Sequence, residues 1–285
     1  MKRKIEVFRM SGAGNLFSVI DNSKYQFNDV ELISLAVTLC SKNEINDFEA
    51  EGLLAITTES EFDFDVKFLN PDGSSGMMCG NGGRCAFDFA ANKLIPQARR
   101  NDYKFRMAGN IYSGMLTDDG VRLTMPAPAH VELMKTIIID GKEIQGSYIN
   151  VSSDHFVVEL SQLKDFDVSF DSESIVEFAP KIRYHKDFGL AGVNVNIYKK
   201  VADAIYLKTF ERGVENITGA CGTGSVSTAI HCYGLNKTKL PLMIMPPSSI
   251  PVFIDFEFDY NDRIKKVFLS GHSEIISKDI VEINF

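Results

Sequence analysis

This chain of 285 residues lacks what several broad functions would require. It has no excess of basic charge: 30 Lys and Arg against 38 Asp and Glu leave a net charge of -8. The nearest thing to a basic patch, Arg99-Arg100, is too short to form a nucleic-acid surface. No apolar stretch approaches the length of a membrane span, because Leu240–Met245 stops at Pro246-Pro247. The opening Met1-Lys2-Arg3-Lys4 is basic, but Glu6 and Arg9 interrupt any signal-peptide core. Five cysteines are too few for a disulfide framework, and none forms a Cys-x-x-Cys pair of the metal-binding kind. A reducing compartment, the cytoplasm, is the expected location. What is present, 45% hydrophobic and 24% charged residues, is globular material sufficient for one large domain or two ordinary ones.

Two stretches stand out. Met78-Cys79-Gly80-Asn81-Gly82-Gly83-Arg84-Cys85 runs into an apolar segment, Ala86 to Leu94. About 140 residues later Ala220-Cys221-Gly222-Thr223-Gly224-Ser225 leads into Val226–Tyr233, which Gly234 is expected to close. Both read Cys-Gly-x-Gly, and both are expected to open a helix.

The order of elements around them repeats. Strands are predicted near 4–9, 16–21, 52–57 and 62–69, with a tight loop over Ser11–Asn15 and a long turn over Asn70–Gly76. Apolar residues at 32, 35/36 and 39 predict a helix over Val30–Leu39, capped by Asn28 or Asp29. The first Cys-Gly helix is expected at about 81–94, followed by strands near 103–107, 110–116 and 120–125. Met125-Pro126-Ala127-Pro128-Ala129 marks the boundary between two halves. Beyond it, strands are predicted near 131–138, 146–151 and 155–160, then a helix over 171–181. Strands near 193–198 and 203–210 precede the second Cys-Gly helix, and three more follow near 250–256, 264–270 and 274–284. Each half is mostly strands around a helix that is apolar on most faces, and such a helix must be buried on nearly all sides. The expected fold is a pseudo-duplicated α+β protein with a cleft between the halves.

A cysteine at a helix start meets unpaired backbone N–H groups and the positive end of the helix dipole, which favour a thiolate. The adjoining glycines let N–H groups approach a bound anion closely. Two such starts suggest a two-base site, in which one thiolate removes a Cα proton and the other thiol returns a proton to the opposite face. Opposed N–H clusters would hold the substrate carboxylate and stabilise charge moving onto it. Other uses of the pattern fit worse. A phosphate cradle of the Walker type lacks its Lys and Ser/Thr, and no dinucleotide-binding glycine motif follows a strand. Cys40, Cys85 and Cys232 read as small core hydrophobes.

The chain resembles the diaminopimelate epimerase family, a group of amino-acid racemases that work without pyridoxal phosphate. The resemblance runs nearly end to end. It is carried by Phe8–Phe17, by Asn70-Pro71-Asp72-Gly73-Ser74 with Met78–Cys85, and by Gly192-Val193-Asn194-Val195-Asn196. Its most specific part is Thr209-Phe210-Glu211-Arg212-Gly213-Val214-Glu215 with Ala220-Cys221-Gly222-Thr223-Gly224. It implies two similar halves, each a mainly antiparallel sheet wrapped round a central helix: residues 1–126 plus a final strand at about 273–285, and residues 127–272. It implies Cys79 and Cys221 as acid and base, with the backbones of Gly80, Asn81, Gly222 and Thr223 gripping the carboxylate at the reacting carbon. Asn15, Asn70, Asn194 and the planar fork of Arg212 would hold the distal amino-acid end. Glu211 and His155 would recognise the substrate amino group and tune the protons beside the thiols. The expected substrate is LL- or meso-diaminopimelate, in lysine and peptidoglycan precursor synthesis, with no cofactor or metal, no nucleic-acid or membrane partner, and a homodimer as a possible assembly.

Two segments depart from the family pattern. Where the family reads Gly-Asn-Pro-His, this chain has Ser152-Ser153-Asp154-His155. Ser153 offers only a hydroxyl where an asparagine would help hold the distal carboxylate. Asp154 puts a carboxyl in place of proline, repelling that carboxylate if it faces the pocket and harmless if it faces solvent. The second departure is Ile45–Gly52, which keeps an acidic residue before Gly52 but loses the preceding glycines of a family loop. Both bear on specificity, leaving open a relative acting on another amino acid, or a binding protein without turnover, for which the thiols would have no use. Thiols close enough to flank one carbon are also expected to oxidise to a disulfide once the substrate leaves.

Overall fold

The computed structural model describes residues 2–58, 60–75, 78–95 and 102–284; Gly76, Met77 and Arg99-Arg100 lie outside them. The chain divides into two compact units, Met1–Thr124 with Ser270–Phe285, and Met125–Leu269.

In the first unit, β1 (Lys2–Gly12) is flanked by β2 (Asn15–Asp21) and by the C-terminal strand Ser273–Asn284, both antiparallel to it. The turn between β1 and β2 holds Ala13 and Gly14 at φ 53° and 92°, a conformation that glycine adopts without strain. A short helix α1 (Asn22–Tyr25) leads to α2 (Asp29–Cys40), where Asn28 and Glu31 form a reciprocal capping box. The cap fixes that helix start and is worth about 1 kcal/mol. The sheet continues through β3 (Gly52–Thr57), β4 (Phe64–Leu69), β5 (Tyr103–Met107), β6 (Asn110–Thr117) and β7 (Gly120–Pro126). These strands curve around α3 (Gly80–Phe89), whose continuation Ala90–Leu94 loosens into a π-helical turn instead of extending the α-helix as expected. Nine of its ten residues are buried, so it is an axle enclosed by the sheet. Glycine makes this approach possible: a Cβ on Gly12 of β1 would lie 2.6 Å from the Asn81 carbonyl oxygen.

In the second unit, β8 (His130–Ile139) and β9 (Lys142–Asn150) form a hairpin. Its turn residues Asp140 and Gly141 both have positive φ, the type I′ geometry that Asp-Gly favours. The order then runs β9 to β10 (Asp154–Glu159), β11 (Asn194–Val201) and β12 (Ala204–Glu211), with β10 and β11 parallel and the rest antiparallel. Between β10 and β11 the chain forms α4 (Ser172–Arg183), which packs Ile175, Phe178, Ala179 and Ile182 into the core. β13 (Asn216–Ile217) precedes α5 (Gly222–Asn236), and β14 (Leu242–Met245), β15 (Val252–Phe258) and β16 (Ile264–Gly271) complete the unit. Every residue from Gly222 to Cys232 is buried. His231 accounts for part of this helix's fixation, since its ring bonds Ser147 of β9 at 2.7 Å and Tyr198 of β11 at 3.0 Å. Gly234 does not close α5, contrary to the sequence expectation. The helix runs on to Asn236, capped by Lys237 in the left-handed region. Gly234 is instead a contact point, where a Cβ would meet Leu133 of β8 at 2.7 Å.

Candidate active site

The two helix starts have nearly the same geometry. Cys79 caps α3 at φ -110°, ψ 113°, and Cys221 caps α5 at φ -114°, ψ 112°. In each, the sulfur accepts from the N–H three residues on: Gly82 N to Cys79 Sγ at 3.4 Å, Gly224 N to Cys221 Sγ at 3.3 Å. In each, the following N–H bonds the cysteine's own carbonyl, Gly83 N at 2.7 Å and Ser225 N at 2.9 Å. The backbones of Gly80 and Asn81, and of Gly222 and Thr223, therefore stand at the first two helical positions, whose N–H groups a helix cannot satisfy internally. A chain with two thiols in the place of ordinary caps, each at the positive end of a buried helix, holds two sites suited to a thiolate and to a carboxylate. All five cysteines are thiols. Burial raises the Cys40 thiol to about 12 and the Cys232 thiol to about 11, and pushes Cys85 up as well, which suits the core role expected of all three.

Around Cys221 the second unit builds a polar cluster. Glu211, at the end of β12, hydrogen-bonds with the Cys221 side chain; burial lifts its carboxyl above the ordinary range, offset in part by Thr218 and Cys221. The Thr218 hydroxyl donates to Glu211 Oε1. His155 of β10 is wholly buried, and burial drives its imidazole down to about 3, so the ring is neutral. Its tautomer follows from its neighbours. Asn196 Oδ1 accepts from Thr209 Oγ1 at 2.9 Å, so the Asn196 amide nitrogen is the group that donates to His155 Nδ1 at 3.0 Å. The ring proton then sits on Nε2, which faces Ser153 Oγ at 2.8 Å and Thr223 Oγ1 at 3.0 Å. Ser153 donates to Thr223 at 3.3 Å, which leaves the Thr223 hydroxyl proton to point at Cys221 Sγ, 3.6 Å away. The chain His155–Ser153–Thr223 thus ends on the sulfur. Ser153 belongs to this cluster, whereas the family comparison had set it beside the distal-carboxylate group.

The residues expected to hold the distal end fall in both units. Asn194, Arg212 and Asp154 come together in the second. Asn194 Nδ2 donates to the Asp154 carbonyl at 2.9 Å, and its Oδ1 accepts from the Arg212 backbone N–H at 2.9 Å. Arg212 Nη1 reaches the Gly192 carbonyl at 3.3 Å and stands 3.6 Å from Asp154 Oδ2. Asp154 therefore faces the guanidinium. In the first unit, Asn15 Nδ2 donates to Glu51 at 2.5 Å, and Asn70 bonds Ser74 inside its turn at 2.9 Å. Gly52 has a packing role: a Cβ there would lie 2.2 Å from the Phe68 ring and 2.6 Å from the Leu69 carbonyl oxygen. The departing segment before it is pinned by Asn46, whose amide bonds the Ser41 and Phe48 carbonyls at 2.8 and 2.7 Å and whose oxygen accepts from the buried Arg9 at 2.6 Å.

Two residues that the sequence reading gave no role bear on the charges and tautomer of the site. Arg84 is fully buried on α3, donating to Asn81 Oδ1 at 2.8 Å and to the Gly80 carbonyl at 3.4 Å. Burial lowers its guanidinium to about 10, while attraction to Cys85 and Cys79 works the other way. The pair is mutual, so Arg84 favours negative charge at Cys79. A lone cation in a helix expected to be buried, five residues after a candidate nucleophile, was the available signal. Asn196 is the other; the motif Asn194-Val195-Asn196 put it on the same strand face as Asn194, two residues away. Among the described residues, no group of three or more His, Cys, Asp or Glu side chains could hold a metal ion, and no helix is long and apolar enough to cross a membrane.

The fold is shared with solved structures of distant sequence. A probable proline racemase from Agrobacterium radiobacter superposes with a TM-score of 0.70 at 14% identity, over 96% of this chain and 92% of that one. A hydroxyproline epimerase from Agrobacterium vitis gives 0.68 at 15% identity, over 99% and 94%. Sequence is more specific. The diaminopimelate epimerase family profile matches residues 7–131. The diaminopimelate epimerase of Aquifex aeolicus is 33% identical over 280 residues, covering 94% of each chain, and that of Chlorobaculum tepidum is 30% identical over 96% of this chain and all of its own. The chain belongs to the diaminopimelate epimerase family.

Proposed function

We propose that this protein is a cofactor-independent amino-acid epimerase that interconverts LL- and meso-diaminopimelate, with Cys79 and Cys221 as the two acid–base groups. The observation that carries the reading is the matched pair of cysteine-capped, buried helix starts, one in each unit. A Cα proton next to an ammonium and a carboxylate is very weakly acidic, so its removal requires charge stabilisation on the carboxylate as well as a base. The N–H groups of Gly80, Asn81, Gly222 and Thr223 supply the first; a thiolate supplies the second. One sulfur takes the proton while the other, as a thiol, gives its own to the opposite face of the carbon, and for the reverse reaction the roles exchange. Glu211, raised by burial, accepts or returns a proton at Cys221, and the His155–Ser153–Thr223 chain supports the Cys221 thiolate. Asn15, Asn70, Asn194 and Arg212 hold the distal amino-acid end. The place of the protein under this reading is the cytoplasm, a reducing compartment that keeps two acid–base thiols free.

The test uses reduced protein and LL-diaminopimelate in D2O. Each thiol carries a single proton, so early product must carry solvent deuterium at its new centre while remaining substrate keeps protium. Cys79→Ser and Cys221→Ser should each lose the conversion. Labelling of both isomers at equal rates would point to a single base and refute the two-thiol assignment. Absence of any α-exchange would refute the substrate.

A further inference from the structure

We propose that Asp154 and Arg212 together recognise a zwitterionic amino-acid end, Arg212 taking its carboxylate and Asp154 its ammonium. The inference rests on the diaminopimelate reading and adds a residue to it.

The two oxygens of the Asp154 carboxylate are held differently. Its Oδ1 accepts from the Tyr148 hydroxyl at 2.6 Å and from Asn150 Nδ2 at 2.7 Å. Those two bonds fix the side chain and saturate one oxygen with neutral donors. Among the described residues Oδ2 faces only the Arg212 guanidinium, and 3.6 Å from Nη1 is an ion-pair distance outside hydrogen-bond range. Oδ2 is therefore held in place and still short of a close donor. Arg212 has capacity as well, since among the described residues its side-chain partners, the Gly192 carbonyl and Asp154, both engage Nη1. Both side chains keep contact with solvent, 23% for Arg212 and 27% for Asp154, so a ligand can reach them. Asn194 ties both backbones, accepting from the Arg212 N–H and donating to the Asp154 carbonyl, each at 2.9 Å, so the two charges are pre-set relative to each other.

The charge balance decides what such a pair prefers. A lone arginine would suit any distal carboxylate. Arginine with a fixed aspartate beside it has little net charge, so a carboxylate arriving alone meets both attraction and repulsion. A carboxylate and an ammonium on one carbon meet the complementary poles, and the ammonium supplies Oδ2 with the charged donor it lacks. The far end of diaminopimelate is such a group. Titration supports the charge state: burial alone would raise the Asp154 carboxyl, but bonds from Tyr148 and Asn150 and the Arg212 charge outweigh it and hold it below the ordinary range.

The measurement is kcat/KM for LL-diaminopimelate and for L-2-aminopimelate, which keeps the distal carboxylate and lacks the distal ammonium, with the wild type, Asp154→Asn and Asp154→Glu. Asp154→Asn keeps an acceptor for Tyr148 and Asn150. A charged hydrogen bond lost at a half-exposed site corresponds to about a tenfold rise in KM for diaminopimelate with kcat little changed. Aminopimelate should be unaffected or improved, so the preference for diaminopimelate collapses, and Asp154→Glu should restore part of it. If Asp154→Asn lowers KM for both compounds alike, or leaves the preference intact, Asp154 is only a counter-ion to Arg212 and the inference is wrong. If the wild type exchanges no α-proton of diaminopimelate, the substrate reading itself falls, a result distinct from a wild type that is active with no change in preference. Thermal unfolding of the Asn and Glu variants separates a local effect from loss of folding.

Discussion

The buried imidazole of His155 makes a quantitative demand on stability. An unfolded chain protonates a histidine near 6.5, whereas in the fold this ring stays neutral down to about 3. Below about pH 6.5 the unfolded state binds a proton that the folded state refuses, so stability contributed above that pH is lost as pH falls towards 3. Between about pH 7.5 and pH 5 the unfolded-state titration covers about 1.5 pH units, worth about 2 kcal/mol at 1.36 kcal/mol per unit. His231, lowered by burial to about 4, adds a similar loss over the same interval. His155→Gln removes the first contribution and leaves the second. Urea unfolding of wild type and variant at the two pH values gives two stability differences, in which all other titrating groups cancel. The variant is expected to be less stable at neutral pH, because Asn196 loses its ring partner, yet to lose about 2 kcal/mol less on acidification. Parallel losses in the two proteins would mean that His155 is not held neutral by burial. The tautomer and the chain of bonds leading from it to Cys221 would then need reassignment.

Other perturbations test separate parts of the site. Replacing the buried cation in Arg84→Met removes the charge that favours a Cys79 anion; iodoacetamide labelling of the Cys79 peptide near neutral pH should slow several-fold while labelling of Cys221 keeps its rate. Unchanged Cys79 labelling would show that Arg84 only positions Asn81. For Glu211 the sign is opposite to that of His155. A carboxyl raised by burial gives stability that is complete below the ordinary carboxylate range and is lost as pH rises through its folded value. Glu211→Gln should therefore unfold at a higher temperature than wild type near pH 8 and not near pH 4, while turnover falls about 100-fold or more. Gly224→Ala would push a methyl to 2.5 Å from Asn196 Oδ1 and 2.8 Å from Thr209 Oγ1, so a loss of about 1–3 kcal/mol by urea unfolding is expected. A neutral result there would mean that α5 can shift away from β11 and β12.

The periodic parts of the chain were legible in its sequence. β3 and β5 match the segments predicted at 52–57 and 103–107, and of the two cap candidates, Asn28 and Asp29, the structure uses Asn28. The two central helices could be inferred to be buried because no polar stripe runs along either. The errors have local causes. The hairpin at Asp140-Gly141 carries a strong turn signal, yet polar residues Lys142, Glu143 and Gln145 hid the first half of β9, which alternates with buried Ile144 and pairs with β8. Gly234 had the look of a helix end, and only the tertiary approach of Leu133 explains its position inside α5. The site was legible as residue types and much less as partners. Sequence could set Ser153 and Asp154 apart as departures, but not which way each points. Ser153 lies in the bend before β10 and Asp154 is that strand's first residue, and in the fold Ser153 turns to the His155 cluster while Asp154 turns to Arg212.

The choice of cysteine at both helix caps separates stability from function. Serine, threonine, aspartate and asparagine cap helices well, because a compact oxygen accepts strongly from the N–H two or three residues on. Sulfur does so at longer range, 3.4 and 3.3 Å here, and weakly. If these positions existed only to start α3 and α5, a hydroxyl would serve better at the same size. Cys79→Ser and Cys221→Ser should therefore unfold at a temperature no lower than the wild type. A serine hydroxyl is far too weak an acid to supply an anion near neutral pH, so each variant should lose proton transfer by a factor of at least about 100. Retained stability with lost exchange, for both cysteines separately, is the pattern that a pair of acid–base thiols requires. A variant that instead unfolded readily would show that its sulfur is needed for packing, and one that stayed active would show that its thiol takes no proton.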